Sequence, residues 1–190
     1  MTMTIEETDD FSVMTELINH PDVRDVMGFR QFVPFDVMWK PGMTMLVFRD
    51  DVGQALGCIW LDMLDEEGIP TPFAHVAFTR ALRGRDALKA ISGAINWCFL
   101  HRDWPEVWAK APFRRSHMLL KHLGWVDVRE EDLDTELIGR IHRKVIKLSR
   151  ESWWARIAHR PFFVTGFPRS GTAWTANLLT NNGALCVHEI

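Results

Sequence analysis

The sequence has no tyrosine in 190 residues, although it carries nine tryptophans and twelve phenylalanines. The phenol is therefore missing from the side chains available as acids and bases. Cysteine is nearly missing too. Cys58, Cys98 and Cys186 are odd in number, far apart and free of CxxC spacing, which suggests neither a disulfide framework nor a zinc site and predicts reduced core thiols. There is no excess of positive charge. The net charge of -3 gives no general attraction to nucleic acid or an anionic membrane, so any anion site has to be local. No apolar run is long enough to cross a bilayer, because ALKAISGAINWCFL is interrupted by Lys89, Ser92, Gly93 and Asn96. The start, MTMTIEETDDFS, lacks the basic end and apolar stretch of a secretory signal, and the chain is predicted to be soluble and cytoplasmic.

What is there is 47% hydrophobic residues, enough for one good core or for one domain and part of another. Phe11 to Met27 has helical spacing broken by Pro21, which predicts two short helices. MTMLVFRDDVGQALGCIWLDML reads as a β-hairpin turning at Asp51 to Gly53. DEEGIPTP is expected to be a loop leading to a strand, FAHVAFT. Leu88, Ile91, Ile95 and Phe99 then form one helical stripe over Asp86 to Leu100. EVWAKA predicts a strand, and Arg114 to Leu123 a helix closed by Gly124. From Glu130 to His159, Leu133, Leu137, Ile141, Val145 and Leu148 recur at three- and four-residue steps, which predicts an amphipathic helix ended by Pro161. The division expected is a first domain over residues 1–128, a connector helix over 129–160 and a strand–loop–helix unit over 161–190.

Two stretches, HVAFTRALRGRDALKAISGAINWCFL and FRRSHMLLKHLGW, resemble in their order the GNAT N-acetyltransferase superfamily. The resemblance covers roughly residues 5–128 and implies an α/β (α+β) fold, a mainly antiparallel twisted sheet flanked by helices and splayed between the strands near 76 and 107. It also implies acetyl-coenzyme A as donor. The pantetheine arm would pair with the strand at Val76, Ala77 and Phe78, and the pyrophosphate would meet the turn Arg83, Gly84, Arg85, Asp86 and Ala87. The turn suits an anion on its own physics, since a helix start offers unpaired N–H groups and the positive end of the helix dipole. Arg80, Arg83, Arg85 and Lys89 add charge. Asp86 has the residue type of an N-cap, and is expected to take the first amides of the helix itself. Where many members of the family place a tyrosine as general acid, this chain has Leu120, and Ser116 and His117 are the nearest polar residues. For the general base, His75 is preferred over Asp62, Asp65 and Glu66.

Near the other end, TGFPRSGTAW has the glycine spacing of a Walker A loop without its lysine, and resembles the sulfotransferase loop for a 5′-phosphosulfate. Arg169, Ser170, Gly171, Thr172 and Ala173 would form that cradle around 3′-phosphoadenosine-5′-phosphosulfate. The family's later strand and 3′-phosphate segment do not follow, so the unit reads as the opening of a domain that would work only in a longer chain.

The leading expectation is acetyl transfer from coenzyme A to an unknown amine, on a small molecule or a protein. A noncatalytic GNAT-like module, of a kind familiar among bacteriophage products, and a sulfotransferase fragment are the alternatives. Neither nucleic acid, membrane nor metal is expected as a partner.

Overall fold

Asp10 closes the acidic start by capping a helix: its carboxylate accepts from the N–H groups of Ser12 and Val13 at 2.8 and 3.3 Å. Helix α1 (Phe11–Asn19) follows, and Pro21, whose fixed φ suits a first helical position, opens α2 (Pro21–Met27). The break at Pro21 is the one the sequence predicts. The computed structural model describes residues 3–27, 29, 31–135 and 139–158.

Among the described residues, the larger of two units, Met1–Arg150, also holds a 3-10 turn (Phe35–Val37), two further helices, α3 (Arg85–His101) and α4 (Arg114–His122), and seven strands. The strands are β1 (Thr4–Glu7), β2 (Thr44–Arg49), β3 (Ala55–Glu66), β4 (Ile69–Phe78), β5 (Glu106–Ala111), β6 (Val126–Thr135) and β7 (Gly139–Ser149). They form one sheet in the order β1-β2-β3-β4-β5-β7-β6. Every neighbouring pair is antiparallel except β4 with β5. The second unit, Glu151–Ile190, is described only to Ala158, within helix α5 (Arg150–Ala158).

Three readings need correction. The expected loop DEEGIPTP is mostly strand: β3 and β4 stay paired out to Glu66 and Ile69, and the chain reverses over Glu67 and Gly68 alone. Both have positive φ (56° and 85°), the twist a two-residue hairpin needs, and the Asp65 carboxylate accepts from the Gly68 N–H at 2.7 Å. In place of the connector helix over residues 129–160 stands the hairpin β6–β7, and among the described residues of that span only Arg150–Ala158 is helical. The three- and four-residue steps were coincidental with a second pattern. An acidic run faces a basic one across the antiparallel pair, with Glu131 against Arg143 (3.1 Å), Asp132 against His142 (2.9 Å), and Glu130 against Lys144. The sheet therefore continues beyond residue 128, to Ser149. Finally, β1 was not anticipated, since Ile5 is its sole apolar residue; Glu6 and Glu7 pair with Arg49 and Arg102.

The two faces of the sheet are covered by different helices. Met14, Leu17 and Ile18 of α1 pack with Cys58, Trp60 and Ala77. On the opposite face, a Cβ on Gly93 of α3 would strike Ile5 Cδ1 at 2.4 Å. Ile5 is the register partner of Phe48, and Phe48 meets Phe78 edge-on with centroids 5.4 Å apart. Alternate residues of β4 thus look to opposite sides: Phe73, His75 and Ala77 to the α1 side, and Ala74, Val76 and Phe78 to the α3 side.

Candidate active site

Strand β4 is bonded to β3 along its length, but meets β5 only at Phe73–Trp108 and Ala74–Ala109. The N–H of Thr79 donates to the carbonyl of Leu56 at 3.1 Å, which fixes the phase of the ladder. Odd-numbered residues of β4 direct their backbone groups to β3, and even-numbered ones away from it. Pro70 and Pro72 fall on even positions, where the missing N–H costs the β3 ladder nothing. Val76 and Phe78 are even as well. Beyond Ala74 β5 has diverged, so their N–H and C=O groups face the gap between the two strands.

That gap is the mouth of a cavity of about 1000 Å³, a volume suited to a sizeable ligand. Ala74, Val76 and Phe78 line it with Ile91, Ala94 and Ile95 of α3. Val107, Ala109 and Lys110 of β5 contribute, as do Ser116 and Leu120 of α4. Its lining is mainly apolar.

Of the sequence-derived candidates, His75 and Ser116 line this cavity alongside Val76 and Phe78. Ala77 does not; it is 2% exposed in the core below α1. The Ser116 hydroxyl donates to the Phe113 carbonyl at 2.9 Å. His117 is not among the lining residues: its Nε2 lies 2.6 Å from Asp127 Oδ1, and with Lys121 it holds the Asp127 carboxyl below the usual range.

His75 is held in a defined orientation. Its ring stacks on Trp60 with centroids 5.1 Å apart and planes 9° from parallel. Nε2 is shut off from solvent, has no hydrogen bond and faces Asp62 Oδ2 at 3.7 Å, while 36% of the side chain remains exposed. The exposed part therefore lies elsewhere on the side chain. Burial lowers the pKa below the ordinary 6.5, with Asp62 opposing and Lys110, Lys40 and Arg143 assisting. The ring is neutral at neutral pH, and the carboxylate beside Nε2 favours the tautomer that carries its proton there. Nδ1 is then the nitrogen with a free lone pair.

The turn Arg83, Gly84, Arg85, Asp86 and Ala87 does not line the cavity. It makes the start of α3, and here the expected Asp86 cap is absent. Gly84 occupies the N-cap position, at φ 57° where a side chain would be strained, and no side chain caps the helix. Asp86 is already in the first turn, and its carboxylate lies 3.5 Å from Lys89. Arg80 is engaged by Asp22 at 2.8 Å. Arg83 and Arg85 are exposed and make no ion pair with any described residue, so two unspent cations flank uncapped helix amides.

Lys110, Trp60 and Trp125 belong to the site or support it, and the sequence reading did not single them out for it; Asp62, a candidate base in that reading, stands instead beside His75 Nε2. The indole Nε1 of Trp125 is buried without a partner. Only the strand alternation of EVWAKA could have shown that Lys110 shares a face with Trp108. Cys58 and Cys98 are free and buried, as the composition predicted. Burial pushes the Cys58 thiol up, and the cavity-lining Cys98 thiol up to about 12, so neither is a nucleophile. Cys186 and the loop Arg169, Ser170, Gly171, Thr172 and Ala173 lie outside the described residues. Among the described residues no cluster of three or more His, Cys, Asp or Glu could hold a metal ion, and no helix is long and apolar enough to cross a membrane.

No family model and no curated protein matches the chain. Solved structures do. The spermidine N-acetyltransferase of Vibrio cholerae, in complex with CoA and spermine, superposes with a TM-score of 0.65 at 12% identity, over 80% of this chain and 98% of that one. A putative phosphinothricin N-acetyltransferase gives 0.64 at 14% identity, over 78% and 98%. A chimera of the Vibrio enzyme gives 0.66 at 12% identity, over 81% and 99%. The seven-stranded sheet, its parallel β4–β5 junction and these superpositions establish that the chain has the GNAT fold.

Proposed function

We propose that the chain is an acetyl-coenzyme A-dependent N-acetyltransferase acting on a primary amine. The observation that carries the reading is the free edge of β4 at Val76 and Phe78, opening into a large cavity in a sheet whose α3 starts uncapped between Arg83 and Arg85. These features fit the donor. Arg83, Arg85 and the first amides of α3 would hold its pyrophosphate, and the Val76 and Phe78 backbone would pair with its pantetheine arm. Bound there, acetyl-coenzyme A supplies the acetyl group as an activated thioester.

The chain's own groups account for the remainder. Backbone N–H on the free edge of β4 can donate to a carbonyl oxygen and stabilise the charge that develops on it. His75 takes the proton of the substrate ammonium at Nδ1, freeing the amine lone pair that attacks the thioester carbonyl; Trp60 fixes the ring plane, and Asp62 fixes the tautomer. The apolar lining from α3 and α4 excludes water and limits hydrolysis of the thioester.

A second reading, a noncatalytic module, is favoured by one observation. Leu120 lines the cavity where a phenol would serve the departing thiolate, and the chain has no tyrosine at all. The two readings separate in one assay: purified chain with acetyl-coenzyme A and a panel of primary amines, read by free-thiol release and by acetylated product. Amine-dependent thiol release is expected. Binding of acetyl-coenzyme A without release across the panel would support the module instead.

A further inference from the structure

We infer, resting on the reading of this cavity as an acyl-transfer site, that the amine it accepts also bears an anionic group, a carboxylate in the simplest case, on an apolar body. A polycationic amine does not fit.

Besides the Cys98 thiol, the titratable side chains lining the cavity are His75, Lys110 and Arg115; among the described residues no aspartate or glutamate lines it. The Lys110 ammonium lies 5.0 Å over the ring of Phe73, which is two residues from His75 on the same strand and hence on the same face of the sheet. A fixed cation thus stands on the same side of the sheet as the residue assigned as base. The carboxylates behind this wall do not line it and are ion-paired to cations of the protein, although Asp62 Oδ1 and Glu131 Oε1 accept no hydrogen bond. Asp62 is held by Lys40 at 3.7 Å and has only 13% of its side chain exposed. Glu131 is shared by Lys110 (3.6 Å), Arg143 (3.1 Å) and Arg129 (3.9 Å).

A second ammonium on the substrate would enter beside Lys110 with no carboxylate among the described lining residues to meet it, and would lose its hydration there. A carboxylate meets the opposite situation, since Lys110 carries three N–H donors. Met27, Trp60 and Ile141 also line the cavity and supply an apolar surface suited to a hydrocarbon or aromatic body.

The test measures kcat/KM with acetyl-coenzyme A for three amines: phenylalanine, phenylalanine amide and spermidine. The carboxylate amine should exceed its amide by roughly tenfold or more, the size of one charge-assisted hydrogen bond, with spermidine lowest. Lys110→Met should collapse the acid-to-amide ratio toward one, and Lys110→Arg should keep most of it. Thermal melts of both variants separate loss of binding from loss of fold. Equal use of acid and amide, preference for spermidine, or an unchanged ratio in a folded Lys110→Met would overturn the inference. So would turnover of none of the three while acetyl-coenzyme A binds, an outcome that leaves the proposed donor site standing. Failure to bind acetyl-coenzyme A would sink both readings.

Discussion

Along one edge β4 is bonded to β3 from Ile69 to Phe78; along the other it touches β5 at Phe73 and Ala74 and then parts from it. The paired edge carries the fold. The open edge leaves backbone donors and acceptors without sheet partners, a state that normally costs free energy unless water or a ligand satisfies them. The same strand therefore holds the core together with its odd residues and offers a binding edge with its even ones.

The largest expected effect comes from testing the two edges with one residue type. Ala77→Pro removes an N–H from the β3 ladder inside the core, and should cost about 3 kcal/mol or more, abolishing a cooperative thermal transition. Val76→Pro, one residue away on the open edge, should melt much closer to the parent while weakening acetyl-coenzyme A binding. Equal melting temperatures for the two variants would break the comparison.

Next comes the titratable side chain of β4 that lines the cavity. His75→Gln should lower kcat/KM by about a hundredfold with little change in melting temperature. Because burial lowers the pKa of His75, the acidic limb of the parent's pH profile should lie below 6.5 and vanish in the variant. Stability follows the same sign: the unfolded chain takes up that proton first, so stability falls as pH drops below 6.5. A limb above 6.5 would contradict the environment described for the ring.

The closeness of the paired edge can be probed at Gly57, where a Cβ would lie 2.8 Å from the Ala77 carbonyl and 2.7 Å from Phe78 Cδ1. Gly57→Val should cost about 2 kcal/mol, read from denaturant midpoints. A variant as stable as the parent would show that β3 and β4 have room to part.

How much of this was legible in the sequence follows from the range of the interactions. Local signals marked α1, α2, the β2–β3 hairpin, α3, β5 and α4, since each depends on periodicity and nearby turn residues. What failed depended on partners distant in sequence. The acidic run of β6 and the basic run of β7 look like a solvated helix until they are laid antiparallel, whereupon Glu131 meets Arg143. β1 has no apolar alternation because its pairing with β2 and the Arg49 and Arg102 side chains hold it. At the site, the Arg83 turn and His75 were visible as residue types. That Asp86 leaves the helix uncapped, and that Lys110 shares a face with His75, needed the backbone path and the sheet register.

The smallest effect should come from His117, which the family resemblance offered as a polar replacement for the general acid. Its bond to Asp127 and its place outside the cavity lining predict that His117→Gln keeps acetyl transfer within about twofold of the parent. A loss comparable to that of His75→Gln would move the chemistry to α4.

The most direct test of the central claim is calorimetric titration of the purified chain with acetyl-coenzyme A, in parallel with Arg83→Ala. Saturable binding by the parent, weakened about tenfold or more in the variant, is the predicted result. No binding by a folded parent, or equal binding by both, would contradict an anion site at the start of α3 and with it the assignment of the open edge as a donor site.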